Sequence, residues 1–156
     1  MTTLRPATRE DAEALAEIYL ACRRDMPYAP LVHSDQAVRQ WFAEALLPAG
    51  GAWLAERDGA IAGFAACSMQ DGALWLDQLY IRPGLQGRGV GGALLDHVLR
   101  QGADVCRLHV FQANPGARRF YEAHGFTLLS LGDGRDNEEC CPDALYQWVR
   151  VPAGNQ

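Results

Sequence analysis

The sequence predicts an α+β fold, a mixed and mostly antiparallel twisted sheet of about seven strands flanked by about four helices. Three extended apolar runs lie in the middle of the chain, at 52–57, 60–68 and 74–82. The dipeptides between them, Asp58-Gly59 and Asp71-Gly72, are typical of tight β-hairpins, so the runs predict an antiparallel meander. Segments with apolar residues at helical spacing stand on both sides of the meander. A chain of 156 residues fits one domain, which we expect to span residues 1–156.

The part of the chain before the meander predicts one short strand and two helices. Residues 4–7 suit a strand. Thr8 and Asp11 suit the start of the first helix, because a hydroxyl can cap it and a carboxylate favours its positive end. The second helix begins after a Ser34 cap, carries apolar residues at helical spacing, and ends at 48–51, where proline and glycines occur.

The part after the meander predicts two further helices and three strands. Asn114 and Pro115 predict a helix start, since Asn caps and Pro fits the first turn, and Gly125 is placed to end that helix. A polar loop, 132–143, separates the last two strands. The other predicted elements are a helix at 90–100, a strand at 107–111, and closing strands at 126–131 and 144–151. The predicted order is therefore βααβββαβαββ.

A glycine-rich run, from Gln86 to Gly92, joins the last strand of the meander to the following helix. Several backbone N–H groups at a helix start, with no side chains in the way, form a cradle for an anion. Arg88 adds a guanidinium, which is suited to a phosphate. The run predicts a ligand that carries a pyrophosphate.

A dinucleotide is one candidate for that ligand. Gly87, Gly89 and Gly92 have the spacing of the dinucleotide-binding motif. That motif belongs in the first strand-to-helix turn of a βαβ unit, with an acidic residue closing the next strand. Here the next strand, 105–111, ends without a carboxylate, and too few residues follow for a second mononucleotide half. A P-loop is excluded because no Gly-Lys-Ser/Thr follows.

The same run also resembles the pyrophosphate-binding motif Gln/Arg-x-x-Gly-x-Gly/Ala of the GNAT superfamily, the Gcn5-related N-acetyltransferases. Further segments resemble that family in the same order. Residues 79–83 are similar to the strand end before the motif, and residues 4–11 to the usual opening. Residues 114–126 are similar to Asn-x-x-Ala-x-x-Phe-Tyr-x-x-x-Gly-Phe. The chain is similar to small bacterial members, some of which share the stretches at 76–80, 137–139 and 142–143, whereas Cys140 and Cys141 depart from their pattern.

The resemblance implies the GNAT fold, with a splayed parallel pair formed by the fourth and fifth strands. It implies acetyl-CoA as co-substrate, with the pantetheine arm between those strands and the pyrophosphate on the glycine run. A bulge near Gln78-Leu79 would aim an N–H group at the thioester carbonyl. The implied cofactor-binding residues are Leu79, Tyr80, Ile81, Gln86, Gly87, Arg88, Gly89, Val90, Gly91, Asn114, Ala117, Phe120 and Tyr121.

Catalytic roles follow from the same resemblance and from the chemistry of the transfer. Tyr121 would be the general acid, because a phenol held against the sulfur can protonate the departing thiolate. The base stays open between Asp77, a loop glutamate, for which Glu138 is the candidate, and water. Asp77 is unusual in an apolar strand, where a carboxylate costs stability unless it is paired or functional. Glu138, with its neighbour Glu139, lies in a loop that is expected to border the acceptor cleft.

The predicted function is transfer of acetyl from acetyl-CoA to a primary amine, by direct attack in a ternary complex. The acidic loop favours a small cationic or amino-acid-like acceptor. A protein or peptide amine is the second enzymatic possibility. A non-catalytic acyl-CoA sensor is the alternative from another class, although a pure binder does not need an acid at the sulfur.

Composition limits the other partners. We expect no metal, because the histidines and five cysteines lack ligand spacing. A net charge of −5 argues against nucleic acid, and no apolar run is long enough to span a bilayer. The N-terminal segment lacks the apolar core of a signal peptide, so we expect a cytoplasmic protein. A homodimer is implied by the resemblance alone.

Overall fold

The computed structural model describes residues 1–151, and these form a seven-stranded sheet. The last five residues of the predicted 1–156 domain lie outside the described part. The strands are β1 (Thr2–Pro6), β2 (Ala52–Arg57), β3 (Ala60–Gln70), β4 (Ala73–Ile81), β5 (Val105–Phe111), β6 (Thr127–Gly132) and β7 (Asp143–Val149). Their order across the sheet is β1-β2-β3-β4-β5-β7-β6. The predicted mixed, mostly antiparallel sheet is confirmed.

Helices cover both faces of the sheet. They are α1 (Ala12–Arg24), α2 (Asp35–Trp41), α3 (Val90–Leu99) and α4 (Pro115–Ala123). A 3₁₀ turn, Arg9–Asp11, precedes α1, and α2 continues through a π-helical segment, Phe42–Leu46, and a last turn, Leu47–Ala49. The caps predicted at Ser34 and Asn114 form, because Ser34 Oγ accepts the Ala37 N–H at 3.1 Å and Asn114 Oδ1 accepts the Ala117 N–H at 3.1 Å. The Thr8 hydroxyl, predicted to cap the first helix, instead donates to Asp11 Oδ2 at 3.3 Å.

Two apolar clusters hold these layers together. On one face, α3 contributes Leu94 and Leu95, which pack with the fully buried Tyr146 of β7. On the other face, Leu15 of α1 and Phe42 pack against Phe64 of β3. Burial of this apolar surface is the main favourable term in folding. Within residues 1–151 no helix has the length and apolar character needed to cross a membrane.

The parallel pair β4–β5 is open along most of its length. The two strands are in register only at Leu74↔Cys106 and Trp75↔Arg107, and they diverge beyond those residues. The splayed pair implied by the sequence is therefore confirmed. Beyond Leu76 the β4 edge that faces β5 lacks a pairing strand among the described residues, so the backbone groups that point to this edge before Ile81 are available to another partner. The Ile81 carbonyl already accepts from Cys22 and Gln86.

A β-bulge lies on β4 where the divergence begins. The pairing with β3 shifts from Ala66↔Gln78 to Cys67↔Leu76, so Asp77 is the extra residue. This position is one residue earlier than the bulge expected near Gln78-Leu79. Bulges re-aim side chains and backbone groups, and this one turns the strand at the mouth of the opening.

Candidate active site

A cleft of about 340 Å³ opens where β4 and β5 diverge. Strand β4 forms its floor, α4 forms one wall, and the loop between β6 and β7 closes the far end. The lining residues are Met26, Leu76, Asp77, Gln78, Leu79, Tyr80, His109, Val110, Phe111, Asn114, Ala117, Tyr121, Asp136, Asn137, Glu139 and Asp143. The cleft thus brings together many residues that the sequence places far apart.

Tyr121 lies on the α4 wall of the cleft with only 9% of its surface exposed. Its ring packs edge-on against Phe120 and Phe126, at centroid distances of 5.2 and 5.6 Å. Burial raises the pKa of its phenol above the ordinary value, so the hydroxyl stays protonated at neutral pH. No side-chain or backbone group within residues 1–151 hydrogen-bonds this hydroxyl, which leaves its proton for a group that enters the cleft.

Asp77 lies at the bulge of β4, in the strand that forms the cleft floor. Its Oδ2 accepts a hydrogen bond from the Ser68 hydroxyl at 2.6 Å. Surrounding protein displaces water and raises the pKa of this carboxyl above its usual range, while the Ser68 bond opposes that shift. A carboxylate with a raised pKa is a better proton acceptor than an ordinary aspartate.

The two loop glutamates face different clefts. Glu138 is 57% exposed in its side chain and lies 3.0 Å from His33 Nε2, outside the cleft of Tyr121. Glu139 lines the cleft of Tyr121 and lies 3.8 Å from the buried Arg23 guanidinium. The structure therefore brings Glu139, and not Glu138, together with Tyr121 and Asp77.

Arg23 lies behind Glu139, which lines the cleft. Its guanidinium donates to the Tyr19 hydroxyl at 3.1 Å and to the Ala29 carbonyl at 2.6 Å, and it has a 5% exposed residue surface. A buried cation needs such partners, because an unpaired one is costly. The spacing of Tyr19 and Arg23, four residues apart in α1, was the available sequence signal for this contact.

The end of the cleft that the β6–β7 loop closes is lined by acidic side chains. Asp136, Glu139 and Asp143 line it together with Asp77, and His109 Nδ1 lies 3.7 Å from Asp143 Oδ2. The residues lining the cleft, within the described chain, include no arginine. Asp136, Asp143 and His109 were not identified from the sequence, since no local pattern distinguishes them from solvated surface residues.

The glycine run forms an open backbone cradle at the start of α3. Gly87 and Gly89 have positive φ values of +78° and +84°, which favour glycine, and a Cβ on either would meet nothing within 4 Å. The backbone N–H groups of residues 86–92 donate to no protein acceptor within residues 1–151. Free N–H groups at a helix start are a ready anion site, so the cradle fits a pyrophosphate.

Side chains around the cradle mainly fix its shape. Gln86 Oε1 accepts the Gly84 N–H at 3.0 Å, and Gln86 Nε2 donates to the Ile81 carbonyl at 3.4 Å. Arg57 donates to the Arg88 carbonyl at 3.1 Å. Gln86 therefore holds the turn with its side chain, and its contribution to a ligand would come from its backbone.

Helix α4 contacts both the cleft and the glycine cradle. Asn114 and Ala117 line the cleft, and the Asn114 side chain caps α4. A Cβ on Gly91 would lie 3.5 Å from the Phe120 ring, so Phe120 packs behind the cradle. Val90, the first residue of α3, is buried and is available to a ligand only through its backbone.

Comparisons with known proteins agree with this architecture. Residues 12–126 match the model of the acetyltransferase (GNAT) family. The chain is similar to the mycothiol acetyltransferase of Streptomyces avermitilis, with 38% identity over 98 residues, 59% of this chain and 30% of that protein. It is also similar to the peptidyl-lysine N-acetyltransferase YiaC of Escherichia coli, with 33% identity over 99 residues and 64% of each protein. The chain thus spans about a third to two thirds of these relatives' lengths.

Solved structures share the whole fold. The PaiA N-acetyltransferase of Thermoplasma acidophilum, in complex with coenzyme A, has a TM-score of 0.71 at 21% identity and covers 96% of this chain and 99% of its own. An acetyltransferase of Bacillus cereus has a TM-score of 0.77 at 16% identity, with 97% and 99% covered. Given the family match over residues 12–126 and the splayed β4–β5 pair, the chain belongs to the GNAT family of acetyltransferases.

Proposed function

We propose that this protein transfers acetyl from acetyl-CoA to the primary amine of a small cationic or amino-acid-like acceptor. The observation that carries the proposal is one cleft, at the splay of β4 and β5, that holds both Tyr121 and Asp77. One group is a buried phenol that keeps its proton, and the other is a carboxylate with a raised pKa. Acyl transfer from a thioester to an amine needs such an acid and such a base.

The cradle and the open β4 edge would bind the co-substrate. Backbone N–H groups of Gln86, Gly87, Arg88, Gly89, Val90 and Gly91 would hold the pyrophosphate. The backbone of Leu79, Tyr80 and Ile81 would hydrogen-bond the pantetheine arm, since β5 has diverged from this edge. Asn114, Ala117 and Phe120 would shape the wall along which the arm lies. We infer that residues 1–156 act as one catalytic domain.

The residues of the cleft would then carry out the transfer. Asp77 accepts a proton from the amine, directly or through water, so that the nitrogen lone pair can attack the thioester carbonyl. A carbon–nitrogen bond forms and the carbon–sulfur bond breaks. A backbone N–H at the β4 bulge stabilises the charge that develops on the carbonyl oxygen. Tyr121 donates its proton to the departing sulfur, which leaves as a thiol.

The lining of the cleft supports a cationic acceptor. Four carboxylates, those of Asp77, Asp136, Glu139 and Asp143, would attract an ammonium group. Glu139 would hold a second polar group of the acceptor, because Arg23 keeps it in place. Glu138, the glutamate that the sequence offers as a base, pairs with His33 and lines the neighbouring cleft, so we favour Asp77 as the base.

We expect Asp77→Asn to lower kcat by about 10²-fold and to remove the acid limb of the pH–rate profile. Only the ionised carboxylate can accept a proton, and the pKa of Asp77 is raised. The wild-type rate should therefore fall with decreasing pH at a midpoint above the usual aspartate range. Thiol release from acetyl-CoA with a panel of amines, measured across pH, tests this.

Asp71→Asn is the matched control for that experiment. Asp71 lies in the exposed turn between β3 and β4, at the other end of the same hairpin. Its replacement should leave both rate and pH profile unchanged. An unaltered profile in Asp77→Asn would assign the base to another carboxylate or to water.

A further inference from the structure

A second cleft, of about 400 Å³, lies beside the active-site cleft, and Gln78 lines both. Its walls come from helices α1 and α2, through Tyr19, Val38 and Trp41. These residues belong to no step of the proposed transfer. The two clefts are therefore neighbours that share a single lining residue, Gln78 of β4.

The aromatic wall of this second cleft combines an exposed ring, Trp41, with a packed one, Tyr19. Trp41 has 43% of its surface exposed, and its ring packs edge-on against Phe42 at 5.3 Å. The Tyr19 ring packs against Phe42 and Tyr80, at 5.5 and 5.1 Å, and its hydroxyl is held by Arg23. Exposed tryptophan and tyrosine rings are enriched at binding hot spots, because covering them buries a large apolar area.

The ionisable side chains at this cleft already contact each other. Glu138 and His33 lie 3.0 Å apart and satisfy each other at the rim. The remaining walls are mainly apolar and aromatic, whereas the neighbouring cleft carries four carboxylates. The cleft suited to an amine and the cleft suited to an apolar group thus lie on the two sides of Gln78.

We propose that the Trp41 cleft is a second acceptor subsite, which takes an aromatic or branched alkyl group attached to the amine. The proposal rests on the proposed function, because the amine position is defined by Asp77 and Tyr121. It narrows the acceptor class to primary amines with an apolar group a few bonds from the nitrogen. Trp41, Val38 and Tyr19 would determine this specificity by contact with the apolar group.

Calorimetric titration of two amines tests the proposal. Phenylpropylamine and propylamine share the same amine and differ in the aromatic ring, and both are titrated into the whole protein with and without CoA. The wild type should bind phenylpropylamine at least about tenfold more tightly. Trp41→Ala should reduce this preference to about twofold or less, with the propylamine and CoA affinities unchanged.

Two further variants keep the test decisive. Leu131→Ala removes another exposed apolar side chain, on β6 and away from both clefts, and should keep the full preference. Trp41→Phe retains an aromatic ring and should keep part of the preference for phenylpropylamine. This variant replaces Trp41→Ala in the test if Trp41→Ala does not fold. Equal affinities in the wild type, or a preference that survives in Trp41→Ala, would overturn the subsite.

The readout also separates this proposal from the proposed function. Binding selectivity needs no acetyl transfer, so a protein that prefers phenylpropylamine without releasing thiol would retain the subsite and refute the enzyme. A protein that releases thiol but binds both amines equally would support the enzyme and refute the subsite.

Discussion

Tyr121→Phe should lower kcat for acetyl transfer by about 10²–10³-fold while CoA affinity stays within about twofold. The ring contacts with Phe120 and Phe126 remain in this variant, so the wall of the cleft keeps its shape. Only the hydroxyl is lost, and it has no protein hydrogen-bond partner within the described chain, so stability should hardly change. Initial rates of thiol release and calorimetric titration with CoA measure the two quantities.

Tyr146→Phe is the matched control for that substitution. Tyr146 is fully buried, and its hydroxyl donates to Glu122 at 2.7 Å and accepts from Arg118 at 3.0 Å, outside the cleft. Its loss should lower the free energy of unfolding by about 1–2 kcal/mol and leave kcat unchanged. If Tyr121→Phe keeps a wild-type kcat, Tyr121 is not the acid. A wild type that binds acetyl-CoA without transfer would favour an acyl-CoA sensor.

Gly89→Asp should raise the acetyl-CoA Kd by about 10²-fold or more. The new side chain would enter the open space above the cradle and place a negative charge where the N–H groups would meet a pyrophosphate. In the wild type, ligand at about one hundred times Kd should stabilise the protein by about 2.7 kcal/mol. Thermal unfolding with acetyl-CoA, CoA and NAD measures this, and the variant should lose the shift.

Gly59→Asp controls for backbone strain in that experiment. Gly59 has a φ of +80°, close to the +84° of Gly89, and a Cβ there also meets nothing within 4 Å. It lies in the turn between β2 and β3, so its variant should bear a similar strain and keep the full acetyl-CoA shift. A wild-type shift with NAD and none with CoA would instead support the dinucleotide alternative.

Local signals explain why much of the fold could be predicted from the sequence. The Asp58-Gly59 and Asp71-Gly72 turns define the meander by themselves, because the turn type restricts the residues that can occupy it. The Ser34 and Asn114 caps likewise act within four residues. The π-helical segment Phe42–Leu46 could not be predicted, because its apolar residues follow ordinary α-helical spacing in the sequence.

The same difference between local and long-range signals explains which residues of the candidate site could be predicted. Tyr121, Asn114 and the glycine run stand in contiguous motifs, and their identification needed no contact between distant segments. The choice between Glu138 and Glu139 depends on His33 and Arg23, which lie more than a hundred residues earlier in the chain. The position of the bulge at Asp77 depends on its pairing with β3. Such long-range contacts leave no local pattern.

The most direct test of the account is amine-dependent release of thiol from acetyl-CoA, with the product amine identified by mass. We expect release that saturates with a cationic primary amine, a product heavier by one acetyl group, and formation of both slowed by about 10²–10³-fold in Tyr121→Phe. Thiol release that does not depend on the amine, or none across the amine panel despite acetyl-CoA binding, would contradict it.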